Sequence, residues 1–234
     1  MSEQGQKNAE FDAYSRAYDQ AVNESIAFTG LSVDYFTRVK ADYLIDLIAD
    51  HSGDPKKVSV LDVGCGVGNY HKLIVDRVGM VTGVDVSESC IEVAKKHNPQ
   101  VNYQAYEGER LPFPDATFDV AFTVCVMHHV PPAQWPLFTT EMKRVLKPGG
   151  MVAVFEHNPR NPLTQRIVSN CVFDKTAVLL PYQTTRKLVE GAGFRDIVDR
   201  SIINILPSGR LLRSLDLGLG RLRLGAQYFV KATA

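Results

Sequence analysis

The chain has 234 residues, 45% of them apolar and 22% charged, which is long enough to bury a sizeable core and excludes a disordered or fibrous polypeptide. Lysine plus arginine equals aspartate plus glutamate at 26 each, so no global field draws the protein to nucleic acid or to an anionic membrane, and the expected partner is a small molecule. Four scattered cysteines, Cys65, Cys90, Cys125 and Cys171, indicate neither a disulfide framework nor a CxxC metal site; with no apolar signal region and no run near ~20 apolar residues, the expectation is a soluble, cytoplasmic monomer or homodimer.

A polar start over residues 1–10 gives way to a short helix with Phe11, Tyr14, Tyr18, Ala21 and Val22 on one face, a stripe suited to packing. After Gly30 a second helix is predicted over Val33–His51, with Phe36, Val39, Tyr43, Leu44, Leu47 and Ile48 inward, and Ser52-Gly53-Asp54-Pro55 ends it. Val58, Val60, Leu61 and Val63 then read as a strand buried on both faces, and Gly64, Gly66 and Gly68 follow at once. Three alternate glycines let the backbone turn sharply and approach a ligand with no Cβ in the way, and a helix opening near Asn69 aims free N–H groups at that ligand. A dinucleotide site wants G-x-G-x-x-G under a pyrophosphate, but Asn69 stands where the third glycine should be. Asp62 points the same way, since its carboxylate repels a pyrophosphate and suits an ammonium or a sulfonium. Val81–Val86 reads as the next strand, and Asp85 at its end is placed to accept both hydroxyls of a ribose.

With Asp62, Gly64, Gly66 and Gly68 in the form acid-x-Gly-x-Gly-x-Gly and Asp85 closing the next strand, the sequence resembles the class I S-adenosylmethionine-dependent methyltransferases. The run Arg144-Val145-Leu146-Lys147-Pro148-Gly149-Gly150 is similar to the small-molecule branch of that family, of the ubiquinone and menaquinone type. The resemblance implies an α/β fold: a three-layer αβα, Rossmann-like sheet, mostly parallel with an antiparallel last strand, preceded by N-terminal lid helices. It implies a lid over 1–51 and a methyltransferase domain over 52–234, with acceptor-side insertions near 157–182 and 207–225. The implied cofactor is S-adenosyl-L-methionine, held by Asp62, Gly64, Cys65, Gly66 and Gly68 in the first motif and by Asp85 and Val86 in the second. Glu107 and Gly108, before Leu111-Pro112-Phe113, match the positions that hold the adenine, and Tyr14 and Tyr18 on the lid would touch the cofactor's carboxylate.

Further along, helices are predicted over Tyr70–Val78 and over Ser87–His97, the latter with Ser87 as N-cap and Cys90, Ile91 and Ala94 inward. Strands follow over Val101–Ala105 and over Phe118–Val126, which is central and delivers His128 and His129 to a carboxyl end of the sheet, where open α/β sheets place ligands. A helix over Gln134–Leu146 is stopped by Pro-Gly-Gly, and a strand over Met151–Phe155 delivers Glu156 and His157 to the same end. Thr164–Phe173 reads as a helix lining the acceptor side, Thr184–Gly191 as another, Phe194–Asp199 with Ile202–Leu206 as a sixth strand, and Ala226–Lys231 as the last. The leucine- and arginine-rich segment 208–225 is expected to be a loop packing its leucines on the sheet, the other readings being a subunit contact or a lip for a lipid-like acceptor.

For methyl transfer from a sulfonium, holding the acceptor in line contributes roughly 7–11 kcal/mol, and a general base typically 10²–10⁴-fold, about 3–5 kcal/mol. His129 or His157 is predicted as base or acceptor-orienting donor, His128 as a further candidate and Glu156 as orienting an imidazole or pairing a cationic acceptor, with O-methylation favoured. His128, His129, His157 and Glu156 also have the chemistry of metal ligands. Adjacent histidines do not easily share one ion and H-x-x-x-H is absent, so no metal is expected. Two rivals from other classes remain: a nicotinamide dehydrogenase, opposed by Asn69, and a non-catalytic S-adenosylmethionine-binding regulator or partner subunit, which an intact cradle does not exclude.

Overall fold

The computed structural model describes Ile26 and residues 30–234. The first predicted helix, with Tyr14 and Tyr18, lies outside the described residues. Seven strands, β1 (Ser59–Val63), β2 (Met80–Asp85), β3 (Asn102–Ala105), β4 (Phe118–Val124), β5 (Leu146–His157), β6 (Arg195–Ile202) and β7 (Gln227–Thr233), form one sheet in the order β3-β2-β1-β4-β5-β7-β6. Strands β3 to β5 pair in parallel, and β7 runs antiparallel between β5 and β6. This is the expected mostly parallel sheet with an antiparallel last strand.

The apolar runs in the central strands exist because both faces are covered. Val60, Val120, Phe122, Ala153 and Phe155 enter one core with Tyr43, Leu44, Leu47 and Ile48 of α1 (Val33–Ser52) and Ile74 of α2 (His71–Ile74). Their strand neighbours Leu61, Val63, Ala121, Val152 and Val154 enter the other with Met142 and Val145 of α4 (Trp135–Val145) and Val189 of α6 (Tyr182–Gly191). The connection from β2 to β3 is made by helix α3 (Glu88–His97), where Ser87 caps the Cys90 N–H and Cys90, Ile91 and Ala94 are buried as predicted. A slip of one residue in any central strand would exchange the two sets, and each buried Val, Leu or Phe contributes about 1.5–3 kcal/mol, so register is strongly held. Helix α1 therefore serves as a layer of the core, whatever else the N-terminal region covers.

Four boundaries differ from the sequence reading. The crossover helix expected over Tyr70–Val78 is the single turn α2, with no side-chain cap at Tyr70. Helix α4 stops at Val145 because Leu146 is already extended and pairs with Phe118, so the Lys-Pro-Gly-Gly stretch lies inside β5 at an irregularity of its pairing with β4. Strand β6 ends at Ile202: the N–H groups of Ile203, Asn204 and Ile205 turn instead to the carboxylate of Asp216, at 2.8, 2.8 and 3.0 Å. Segment 208–225 is not a loop with leucines on the sheet; it contains α7 (Gly209–Leu219), whose buried residues are Arg213 and Asp216. Arg213 pairs with Asp42 and Asp46 of α1, and Asp216 accepts from the Tyr43 hydroxyl at 2.6 Å. These polar partners hold one face of α7 inward, which turns Leu211, Leu215 and Leu219, followed by Leu222 and Leu224, to the outside. No helix among the described residues is long and apolar enough to cross a membrane.

Candidate active site

Strand order reverses at β1, which pairs with β2 on one side and β4 on the other. In an open α/β sheet this opens a crevice beyond the carboxyl ends of the strands, and both motif-bearing loops emerge there. The loop after β1 has Gly64, Gly66 and Gly68 at φ of +81°, +51° and +77°, a region that costs other residues strain. Gly64 packs so closely on the loop after β4 that a Cβ would lie 2.6 Å from the Val126 methyl groups, whereas a Cβ on Gly66 would meet nothing within 4 Å. The space over Gly66 is therefore a cradle that a side chain would fill.

Asp85 borders the cradle. One carboxylate oxygen accepts from the Gly66 N–H at 2.7 Å and the other from the Ser87 N–H at 2.9 Å. Burial pushes its carboxyl above the ordinary value, and the two N–H groups work against that rise. Each oxygen keeps a second lone pair for a ribose hydroxyl. Gly108, at φ +90°, and the exposed Glu107 follow β3 on the same side of the crevice.

Asp62 sits differently from the expected contact with a ligand's ammonium. It is 2% exposed, and its carboxylate meets His71 Nε2 at 3.0 Å, while His71 Nδ1 meets the Tyr103 hydroxyl. Burial raises the Asp62 carboxyl and His71 opposes the rise. The chain Asp62, His71, Tyr103 braces β1, α2 and β3 beneath the loop, and Gly83 is needed there because a Cβ would lie 2.8 Å from the His71 ring. Cys65 is buried, and burial raises its thiol well above its usual value.

Next to the cradle lies a cavity of about 120 Å³ whose wall includes Asn69 and Tyr70 from the glycine-loop side, and Lys40, Cys125, His128, His129, His157 and Asp174. Residues from the turn after β4 (Met127–His129), from the end of β5 and from the segment following α5 (Pro162–Asn170) thus meet at one place. Glu156 does not face the cavity. It is 1% exposed and clamps the turn from behind, accepting from the Val126 and Met127 N–H groups at 3.1 and 2.8 Å and from His128 Nδ1 at 2.6 Å. Burial opposes charge on His128, but Glu156 on one nitrogen and Asp174 on the other hold its pKa well above the usual value. Burial, and then the positive His128, lower His129 to about 3 and His157 to about 4, so both rings are uncharged at neutral pH. Lys40 is buried at 7% exposure, with the Cys125 sulfur 3.7 Å away and the Tyr70 ring beneath it. Burial keeps both partners protonated at neutral pH, so neither cancels the ammonium.

The four predicted histidine and glutamate positions are brought together, with Glu156 behind the others. Lys40, Tyr70 and Asp174 were not singled out by sequence, and Asn69 only as the residue standing in place of a third glycine. Lys40 lies on what reads as the polar face of a core helix. Asp174 follows Cys171-Val172-Phe173 in a stretch with no motif. Asn69 and Tyr70 had signal available, being the two residues that extend the glycine loop.

A parallel sheet whose first strand ends in a glycine cradle and whose second ends in an acid, closed by an antiparallel seventh strand, is the fold of the class I S-adenosylmethionine-dependent methyltransferases. Residues 61–154 match the family described as a methyltransferase domain. Over 146 residues the chain is 33% identical to squalene methyltransferase 1 of Botryococcus braunii, covering 57% of this chain and 37% of that protein. Over 130 residues it is 35% identical to the ubiquinone biosynthesis O-methyltransferase of Mesorhizobium japonicum, covering 51% of each. The chain thus spans about a third to a half of these relatives' lengths. A solved structure from Thermotoga maritima, described as an S-adenosylmethionine-dependent methyltransferase and possible histamine N-methyltransferase, superposes with a TM-score of 0.67 at 20% identity over 95% of this chain and 97% of that one. A phosphoethanolamine N-methyltransferase of Haemonchus contortus in complex with S-adenosyl-L-methionine has the same fold, with a TM-score of 0.59 at 16% identity, covering 82% of this chain and 52% of that one.

The cradle gives a discriminating pair of substitutions. Gly66→Ala is expected to cost only about 1–2 kcal/mol of stability, from backbone strain, because its methyl enters open space. That space is where the cofactor belongs, so affinity for S-adenosylmethionine should fall at least about tenfold. Gly64→Ala, driven against Val126, should lower the melting temperature more than Gly66→Ala does. Thermal melts and calorimetric titration of both variants check the contrast.

Proposed function

We propose that the protein transfers a methyl group from S-adenosylmethionine to a small-molecule acceptor held in the cavity, at an oxygen atom. The observation that carries this is the shared boundary: Asn69 and Tyr70 extend the glycine loop and also wall the cavity, which makes cradle and cavity neighbours. When bound, the cofactor supplies a methyl group on a positively charged sulfur, released by in-line displacement.

The backbone of Gly64, Gly66 and Gly68 and the Asp85 carboxylate hold the cofactor, with Cys65 and Val86 beside them and Glu107 and Gly108 on the adenine. Asp62 acts through His71 by keeping the loop in place. On the acceptor side, His129 and His157 are uncharged at neutral pH and, as weak bases, accept a hydrogen bond from an acceptor hydroxyl and take its proton as the new C–O bond makes that oxygen acidic, while Lys40 pairs an acceptor oxygen that is already negative. His157 is oriented by the Gln227 amide, 3.3 Å from its Nδ1. Glu156 orients His128 and the turn that carries His129. Alignment across the Asn69–Tyr70 boundary is the larger contribution, roughly 7–11 kcal/mol of the barrier.

Calorimetric titration with S-adenosylmethionine, S-adenosylhomocysteine and NAD tests the reading, with Asp85→Ala as control. Micromolar binding of the first two, lost in the control and absent for NAD, is the expected result. A folded protein that binds neither would sink the proposal. Binding without release of S-adenosylhomocysteine in the presence of a broad panel of hydroxylated and acidic metabolites would favour a regulator instead.

A further inference from the structure

The turn after β4 does something that adjacency in sequence argues against. In the 3₁₀ turn Met127–His129 the two neighbouring histidines direct their Nε2 atoms to the same carboxylate oxygen: His128 Nε2 and His129 Nε2 each lie 3.4 Å from Asp174 Oδ1, and all three atoms are within 4.8 Å of one another. A charge-assisted N–H to carboxylate hydrogen bond is shorter, about 2.7–2.9 Å. Ligands of a tetrahedral ion at bond lengths of about 2.0–2.1 Å stand roughly 3.4 Å apart. The two histidine–carboxylate separations match those of ligands around an ion.

We propose that His128 Nε2, His129 Nε2 and Asp174 Oδ1 form a binding site for one divalent transition-metal ion of the zinc type, with its remaining position open to the cavity. Three further features agree. Glu156 receives His128 Nδ1–H at 2.6 Å, which holds the ring with Nε2 facing the site, so that an ion displacing the Nε2 proton would meet a lone pair there in the carboxylate–histidine–metal arrangement that fixes ring orientation. Two carboxylates, Asp174 as ligand and Glu156 behind His128, balance a charge of two. All three ligand residues line the cavity, so the fourth ligand would be water or an oxygen of whatever the cavity holds. Two imidazoles and one carboxylate suit zinc, cobalt, nickel or iron(II) and disfavour magnesium and calcium, which take oxygen ligands. The ion's role on an acceptor oxygen rests on the methyl-transfer reading; its binding does not.

The test uses the full chain without a polyhistidine tag, stripped with a chelator and dialysed, in the absence of cofactor and acceptor. Zn²⁺ is titrated by calorimetry and Co²⁺ by its visible ligand-field bands, in the wild type, Asp174→Asn and His129→Gln, each shown folded by circular dichroism. The expected result is one equivalent bound, with intense bands of low-coordinate cobalt, and affinity reduced more than about 100-fold in each variant, beyond the 10–100-fold usual for losing a partner behind a ligand. A folded wild type that binds neither ion, or binding that persists unchanged in either variant, overturns the site. Because no cofactor is present, that outcome leaves the methyltransferase reading standing, and failure of S-adenosylmethionine binding leaves the metal site standing.

Discussion

Glu156→Ala is expected to destabilise the protein by about 3–5 kcal/mol, the range for removing one partner of a buried ion pair. The carboxylate is 1% exposed and serves three donors: the Val126 and Met127 N–H groups and His128 Nδ1. Alanine leaves all three facing a cavity, and the turn that carries His128 and His129 loses what holds it against β5. For a chain of this length each kcal/mol moves the melting temperature by about 2–4 °C, so the melt should fall by roughly 6–20 °C. Glu156→Gln separates the two jobs. Its amide oxygen can still accept from the backbone N–H groups, but its NH₂ faces His128 Nδ1 and forces the other tautomer. That variant should lose about 1–3 kcal/mol while losing most methyl transfer. A melt of Glu156→Ala within 2 °C of the wild type, taking about 2 °C as the shift for under 1 kcal/mol, would show that the clamp contributes nothing.

The second large effect is expected at Asp216, far from the site. This carboxylate is fully buried and accepts from the Tyr43 hydroxyl and from three successive N–H groups, Ile203 to Ile205. Asp216→Ala unpairs four donors at once, and at about 1–3 kcal/mol for a buried unsatisfied group, with water relieving some of them, the loss should be about 2–4 kcal/mol. The damage should be local. Arg213 still pairs with Asp42 and Asp46, and the Asn204 side chain still bonds Ser201, but three successive N–H groups lose the acceptor that turns the chain out of β6, so protease cleavage and amide exchange should rise within 203–226 before the sheet unfolds. Asp216→Asn, which keeps one accepting oxygen, should lose less. Limited proteolysis with mass analysis of the fragments reads this directly, and a cleavage pattern identical to the wild type would refute it.

These two carboxylates also mark where reading the sequence succeeded and where it stopped. The central strands, the glycine cradle and Asp85 were legible because each depends on residues near in sequence: apolar runs buried on both faces, alternate glycines, an acid closing a strand. That the histidines after β4 and β5 would come together at one end of the sheet was legible because both strands run parallel and end there. Segment 208–225 was misread as a loop packing its leucines on the sheet because scattered leucines are expected to turn inward, whereas it forms a helix whose buried residues are polar. Arg213 and Asp216 have partners on α1, some 170 positions away, and no local pattern announces them. Asp62 was half legible: its place in the motif was plain, but its buried partner His71 opens a helix that is only one turn long. Lys40 and Asp174 carried no signal at all, since each acquires its neighbours only when α1 and the segment after α5 close over the cavity.

The two halves of the site also have different origins along the chain. Among the described residues, everything proposed to hold the cofactor lies between Asp62 and Gly108, one unbroken stretch built around three adjacent strands. The cavity wall is collected from six separated places, from Lys40 to Gln227, most of them on connections rather than on strands. Exchange of the segments after β5 and before β7 can therefore rewrite what enters the cavity without disturbing the cradle, so that within this architecture the acceptor is free to diverge while the methyl donor is inherited.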